Sequence, residues 1–295
     1  MKSLSIAVAA KGVCHPRQFI EALVTDGIAV AEHVDVHIAH DESWPEDAGG
    51  LPDNVHLHAC PSGTSILKLW GLAIARSDGA YVAVLDIHCP PAPGWLNSAN
   101  RGMEQKSPLF FGPVDPGWNM DDPEIIGYLA EYAQFRSPLA VALDEVPGNN
   151  LVCLRTLLDE PARLESRGFF KTFMVWRLDS ERGMVPLRQD DMIVTYCKPF
   201  AYGHYMARRF IHGRCFGATR HDNVNQPPRL VCLVFTLFLP ILRSLRIYRA
   251  VSRHAELKGA FYRYLHLVLQ SEIAWSAGEF VGYALGGRSY CEKLD

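Results

Sequence analysis

The sequence has no C-x-x-C pair, no internal repeat, no low-complexity tract and no excess of basic charge. Its eight cysteines, at 14, 60, 89, 153, 197, 215, 232 and 291, are scattered, which excludes zinc-ribbon and thioredoxin-type motifs. Lys and Arg number 29 against 32 Asp and Glu, and the net charge of -3 leaves no electrostatic case for nucleic acid as a partner. The first apolar stretch, residues 4–10, is cut off by Lys11-Gly12 and is too short for a secretory leader. The expectation is therefore a cytoplasmic protein with reduced thiols. No apolar run reaches the roughly 20 residues that a membrane-spanning helix needs. At 295 residues the chain is one large domain or two small ones, with ample material for a core.

What is present is an alternation of strand and helix patterns. Residues 4–10, 34–39, 55–57 and 81–85 read as strands, and 16–25 and 64–76 as helices with one apolar face. This order predicts a parallel α/β sheet covered by helices, whose ligands bind beyond the carboxyl ends of the strands. Two of those ends carry acids, Asp41 and Asp86. The run Val82-Ala83-Val84-Leu85 lacks polar alternation and so marks a strand buried on both faces. It stops at Asp86-Ile87-His88, before a Pro/Gly cluster that must break it. Side chains alternate along extended chain, so Asp86 and His88 project to one side. A carboxylate and an imidazole so placed can share a divalent cation such as Mn or Mg, or orient a sugar hydroxyl. The alternative is a capping Asp beside a packed His.

The second half is less regular. Helices are expected at 95–104, 123–135, 170–178 and 199–216, with strands near 109–114, 151–153 and 192–197. After Pro227-Pro228 the pattern is helical, over 230–254 and then 257–285. The double proline divides an α/β domain, residues 1–226, from a helical tail, residues 229–295. Residues 230–242 are continuously apolar, and Arg243, Arg246, Arg249 and Arg253 follow at spacings that share one helical face. Two readings stay open. One is a buried core or homodimer helix. The other is an interfacial helix with its arginines at anionic headgroups, which would hold the chain at the inner face of the membrane.

In order along the chain, these blocks resemble those of a GT-A-fold family-2 glycosyltransferase. "HDESWPED" is similar to the acidic turn after that family's second strand, with Asp41 and Ser43 matching. "ARSDGAYVAVLDIHCPPAPGWL" follows its A-x-G-x-Y step and the strand ending in D-x-D, with His88 in the place of the second Asp. "VPGNNLVCLRTLL" resembles its acceptor-side P-G-x-N turn at Pro147, Gly148 and Asn150. "MVWRLDSERG" resembles its R-L-x-x-x-G helix through Arg177, Leu178 and Gly183, and "WSAGEFVGYALGG" the ending of membrane-associated members. "RRFIHGRCFGATR" resembles the basic, glycine-containing segment that closes over the diphosphate.

The resemblance implies a GT-A mixed sheet flanked by helices, with a C-terminal helical tail, and a nucleotide-sugar donor. Asp41 would contact the base, and Asp86 and His88 the diphosphate and its metal, Mn or Mg. His221 or His204 would add a metal ligand, and Arg208, Arg209 and Arg214 would offset the leaving-group charge. Two departures bear on the chemistry. The family's E-D base pair falls on Phe170-Lys171, and an Asn usual in the middle helix is Trp70. The acceptor proton must then go to a Lys171 deprotonated by burial, or to Glu145, Asp190 or Asp191. Three functions remain open: sugar transfer to a lipid-linked or small acceptor, a catalytically inactive scaffold, and acyl-type transfer through Cys153 or His88. For Cys153 the plain alternative is a small buried side chain on a strand.

Overall fold

The computed structural model describes residues 3–11, 16–42, 44, 50–117, 122–140, 145–198, 201–220, 227–286 and 288–294. Strands β1 (Leu4–Ala10), β2 (Val34–His40), β3 (Val55–Ala59) and β4 (Tyr81–Asp86) lie parallel. Strand β5 (Leu109–Phe111) is joined to β4 through the antiparallel β7 (Asn150–Leu154), and β8 (Leu187–Arg188) pairs parallel to β5. The seven form one sheet in the order β3-β2-β1-β4-β7-β5-β8. A separate parallel pair joins β6 (Val114–Pro116) to β9 (Val194–Tyr196). All of β1 is buried, as is β4 from Val82 onward, as runs without polar alternation require.

Helices α1 (Pro16–Thr25), α2 (Ile66–Arg76) and α3 (Trp95–Glu104) connect the first strands. Ser65 caps α2 by accepting the Lys68 N–H. The start of α3 is held from a distance: the Asp26 carboxylate accepts the N–H of Gly94 at 2.5 Å and of Leu96 at 2.7 Å. Asn150 ties three segments together, accepting from the buried Trp95 indole and donating to the carbonyls of Pro113 and Met192. The expected strand at 109–114 is two strands. At Gly112 the Met192 carbonyl approaches so closely that a Cβ would lie 1.8 Å from it, and the chain crosses there from one sheet to the other.

The remaining helices are α4 (Asp122–Glu131), α5 (Pro161–Arg167), α6 (Lys171–Arg182), α7 (Tyr202–Thr219), α8 (Arg229–Phe235), α9 (Leu239–Val251), α10 (Ala255–Arg263) and α11 (Leu265–Leu285). The single helix expected over 230–254 is broken into α8 and α9, which meet at 65°. Pro240, lacking an N–H, is accommodated in the first turn of α9. The thiols are not all reduced: Cys215 and Cys291 form a disulfide, while Cys60, Cys89, Cys153, Cys197 and Cys232 are free. That bond fastens the end of the tail to α7.

Two motifs that are far apart in sequence prove to be the halves of one helix crossing. A Cβ on Gly213 of α7 would lie 2.1 Å from the Trp275 carbonyl oxygen, and one on Gly278 of α11 would lie 2.0 Å from that of Phe210. Gly217 and Gly282 sit one turn further on with the same closeness. "RRFIHGRCFGATR" is therefore the α7 half of this crossing. It is helix throughout, and its glycines let the α7 and α11 backbones touch.

Candidate functional site

Asp41, immediately after β2, and Asp86, at the end of β4, flank the carboxyl end of β1. Both are buried. The Lys11 ammonium lies between these ends, 2.5 Å from Asp41 Oδ2. Asp86 turns back on its own loop, Oδ1 accepting the backbone N–H of His88 at 2.9 Å. Burial brings the His88 imidazole down to about 4, against the pull of Asp86, so it is neutral near pH 7. The chain turns directly after Asp86, where the Cys89 N–H bonds the Asp86 carbonyl, so Asp86 and His88 are a carboxylate and a neutral imidazole brought together by a turn and not by strand alternation.

Three further groups close this end. Cys197 donates its backbone N–H to the His88 carbonyl at 2.9 Å, and Thr195 donates to that of Pro90, so the chain leaving β9 carries Lys198 alongside Asp86 and His88. Burial lowers the Lys198 pKa and the Arg208 charge adds to this, while Asp86 and Glu131 oppose it. Arg208, on α7, is held by Glu131 at 2.7 Å. Burial would raise the Glu131 carboxyl, but Arg208 and Arg209 outweigh it and hold it low. Nearby, Asn149 donates to Cys89 Sγ and leaves its Oδ1 buried without a partner, as is the Tyr196 hydroxyl.

A cavity of about 220 Å³ opens beside this end. Trp70 lines it and donates its indole N–H to the Leu85 carbonyl at 2.7 Å, one residue before Asp86. Tyr132, whose phenol is raised by burial and by Glu131, Cys89 and Asp86, lines it too. Deeper in the wall, Arg209 lies 2.7 Å from Glu272, and Arg243 bonds the other oxygen of the same buried carboxylate. Both guanidiniums lie over the Trp275 ring, at 4.6 and 4.7 Å from its centroid. Arg243 and Arg246 therefore turn inward, and of the arginines expected at headgroups only Arg249 and Arg253 are exposed.

Phe170 and Lys171, the pair on which the resemblance places the base, stand on the cavity wall. Burial lowers the Lys171 pKa, opposed by Glu145, and its ammonium is bonded to the Val146 carbonyl. Of the three carboxylates considered for the proton, only Glu145 lines the cavity. Burial would raise it, but Arg246 and Lys171 bring it down to about 2. Asp190 is bound to Arg188, and Asp191 is exposed and bound to Arg101.

Other expectations are corrected. Cys153 lies wholly buried in mid-strand, paired with Val82 and Leu109, and burial pushes its thiol up to about 12. It is a core side chain and no nucleophile. Arg214 packs its backbone against Gly278 and is absent from the cavity wall, and His204 is exposed in the first turn of α7. Ser43 and His221 lie outside the described residues.

The donor set also decides how a metal would fare here. Among the described residues, no group of three or more His, Cys, Asp or Glu stands close enough to hold an ion. Asp86 and His88 contribute one negative charge between them, one carboxylate oxygen is already bonded, and two cations face them. These residues do not by themselves fit a hard divalent ion. Lys198 and Glu131 were missed from the sequence. Yet Lys198 ends a predicted strand, the same signal that picked out Asp86.

No protein-family model and no curated protein matches the chain by sequence. Solved structures do match. A mannosyltransferase from Pyrobaculum calidifontis, in complex with GDP-Man and Mn2+, aligns over 95% of this chain and 87% of its own, at a TM-score of 0.54 and 13% identity. S. aureus TarS in complex with UDP-GlcNAc aligns over 97% and 92%, at 0.47 and 12%. Glucosyl-3-phosphoglycerate synthase from Mycobacterium tuberculosis, with phosphoglyceric acid, aligns over 70% and 75%, at 0.43 and 10%. At such identities the likeness is one of architecture. The chain has the mixed, mostly parallel sheet of a GT-A glycosyltransferase fold.

Proposed function

We propose that the chain transfers a sugar from a nucleotide-diphosphate donor, bound across the ends of β2 and β4, to an acceptor in the cavity behind Trp70 and Tyr132. The observation that carries this reading is the junction itself. A buried carboxylate at each of two strand ends meets a cavity through Trp70, whose indole is bonded to the residue before Asp86. In this reading Asp41 holds the base, and Asp86 and His88 face the diphosphate. Glu145 receives the acceptor proton. A carboxylate held so low is a weak base, so it takes the proton only as the acceptor oxygen becomes acidic in the transition state.

The acceptor is proposed to be lipid-linked, with the chain resting peripherally on a membrane. Among the described residues no single helix is long and apolar enough to cross one. Yet Leu230, Phe235, Leu237, Phe238, Ile241 and Leu245 stand exposed on α8, the bend and α9, Leu237 at 68%. Exposed apolar side chains gathered on one stretch of helix are the kind of surface that meets a membrane or a partner. Calorimetric titration with GDP- and UDP-sugars tests the donor half: micromolar binding that Asp86→Asn abolishes supports it, and no binding of any nucleotide sugar overturns it. Co-sedimentation with anionic vesicles tests the other half. Retention in the supernatant, together with a dimer by light scattering, assigns the patch to a second copy instead.

A second reading, a scaffold without catalysis, is favoured by one observation: Lys171 in the base position is itself bonded to backbone. It predicts that Asp86→Asn leaves biological activity intact.

A further inference from the structure

We infer that the Lys198 ammonium, backed by the Arg208 guanidinium, supplies the positive charge against which the donor's diphosphate binds, in place of a divalent ion. The inference rests on the donor reading above and names what recognises the anion at that site.

It stands on placement. The hydrogen bonds from Thr195 to Pro90 and from Cys197 to His88 run the end of β9 back along the loop after β4. They set Lys198 beside the Asp86 and His88 pair without any help from side chains. Arg208 approaches from α7, 9% exposed and fixed by Glu131 at 2.7 Å. The charges that meet are therefore Asp86 and Glu131 against Lys198 and Arg208. A site built of two carboxylates repels a diphosphate until a cation is added. Here the His at the third position removes one carboxylate, and two protein cations already balance the remaining acids. A doubly charged ion would have to sit against an ammonium group, with one carboxylate to hold it. A diphosphate meets the opposite situation: a half-buried ammonium and a buried guanidinium, the latter a fork of N–H donors suited to phosphate oxygens. The partnerless Tyr196 hydroxyl, on the same strand end, adds a donor close by.

The same departures that weaken a metal site thus assemble an anion site.

The test is calorimetric titration of the full chain with GDP and with UDP, in EDTA and then in excess Mn2+. The expected result is binding in EDTA within about threefold of that in Mn2+. Lys198→Met should weaken binding in EDTA at least tenfold while Lys198→Arg stays near wild type, with melting curves showing all three chains folded. The salt dependence should also flatten in Lys198→Met, because one phosphate contact is lost. Binding that appears only with Mn2+, or a Lys198→Met chain that binds like wild type, overturns the inference and leaves the donor reading standing. No binding of either nucleotide under any condition contradicts both.

Discussion

Glu272→Gln keeps the shape of a buried side chain and removes the charge that two arginines share. In the folded chain Glu272 is fully buried, with one oxygen 2.7 Å from Arg209 and the other bonded to Arg243. After the change Arg209, whose side chain is 2% exposed, keeps its place over the Trp275 ring and, of its carboxylate partners, only the 3.8 Å approach to Glu131. Arg243 keeps its place over the Trp275 ring. Removing one partner of a buried pair costs about 3–5 kcal/mol, chiefly as the desolvation of the charge left behind. With two cations depending on one carboxylate, the upper part of that range applies. In a protein of this size each kcal/mol moves Tm by roughly 2–4 °C, so calorimetry should find a drop on the order of 10–20 °C. Adding Arg243→Met should recover part of the loss, since it removes one stranded cation. A Glu272→Gln chain melting within about 2 °C of wild type would refute the reasoning, because no buried pair of this kind is lost so cheaply.

Three further outcomes follow from other parts of the structure. Burial holds His212 down to about 3, so the folded chain keeps it neutral while the unfolded chain protonates it below its ordinary 6.5. Its contribution to stability is complete above pH 6.5 and is lost as the pH falls toward 3; urea midpoints should decline through that window, less steeply in His212→Asn, and parallel slopes would contradict this. Gly278→Ala should lower Tm by overpacking worth about 1–3 kcal/mol, since its Cβ would meet the Phe210 carbonyl oxygen at 2.0 Å. Gly259→Ala, with nothing within 4 Å, should raise Tm slightly, and the same sign for both changes would refute the close crossing. Iodoacetamide at mildly alkaline pH should leave Cys153 unmodified until the chain unfolds, because its thiol is buried and held near 12; prompt labelling seen by peptide mass spectrometry would contradict the core assignment.

The strand ends were legible because burial leaves a plain trace. Val82 to Leu85 has no polar residue, so the first acid after it had to mark the edge of the sheet, and Asp86 and His88 stand there. The sheet order and the antiparallel β7 were not legible, because pairing depends on contacts between segments far apart in sequence. The tail was legible only in part, for a related reason. Four arginines on one helical face read as a headgroup contact, but Arg243 and Arg246 had acids waiting at Glu272 and Glu145, on segments that periodicity cannot connect. The glycines of α7 and α11 were visible as motifs. Their meaning was not, since each set is explained only by the backbone of the other helix. That Glu145 lines the cavity while Asp190 and Asp191 pair with arginines elsewhere was not legible either, since only the fold brings Glu145 and Lys171 to one wall.

A crystal of the full chain soaked with a nucleotide sugar tests the central claim most directly. The account predicts the base against Asp41, the diphosphate between Asp86 and Lys198, and the sugar facing the cavity behind Trp70 and Tyr132. A second cavity, of about 300 Å³, lies beyond Phe169 and Phe170 and is lined by Arg163, Arg167 and Arg177. Density for the nucleotide there, with none between Asp41 and Asp86, would contradict the account.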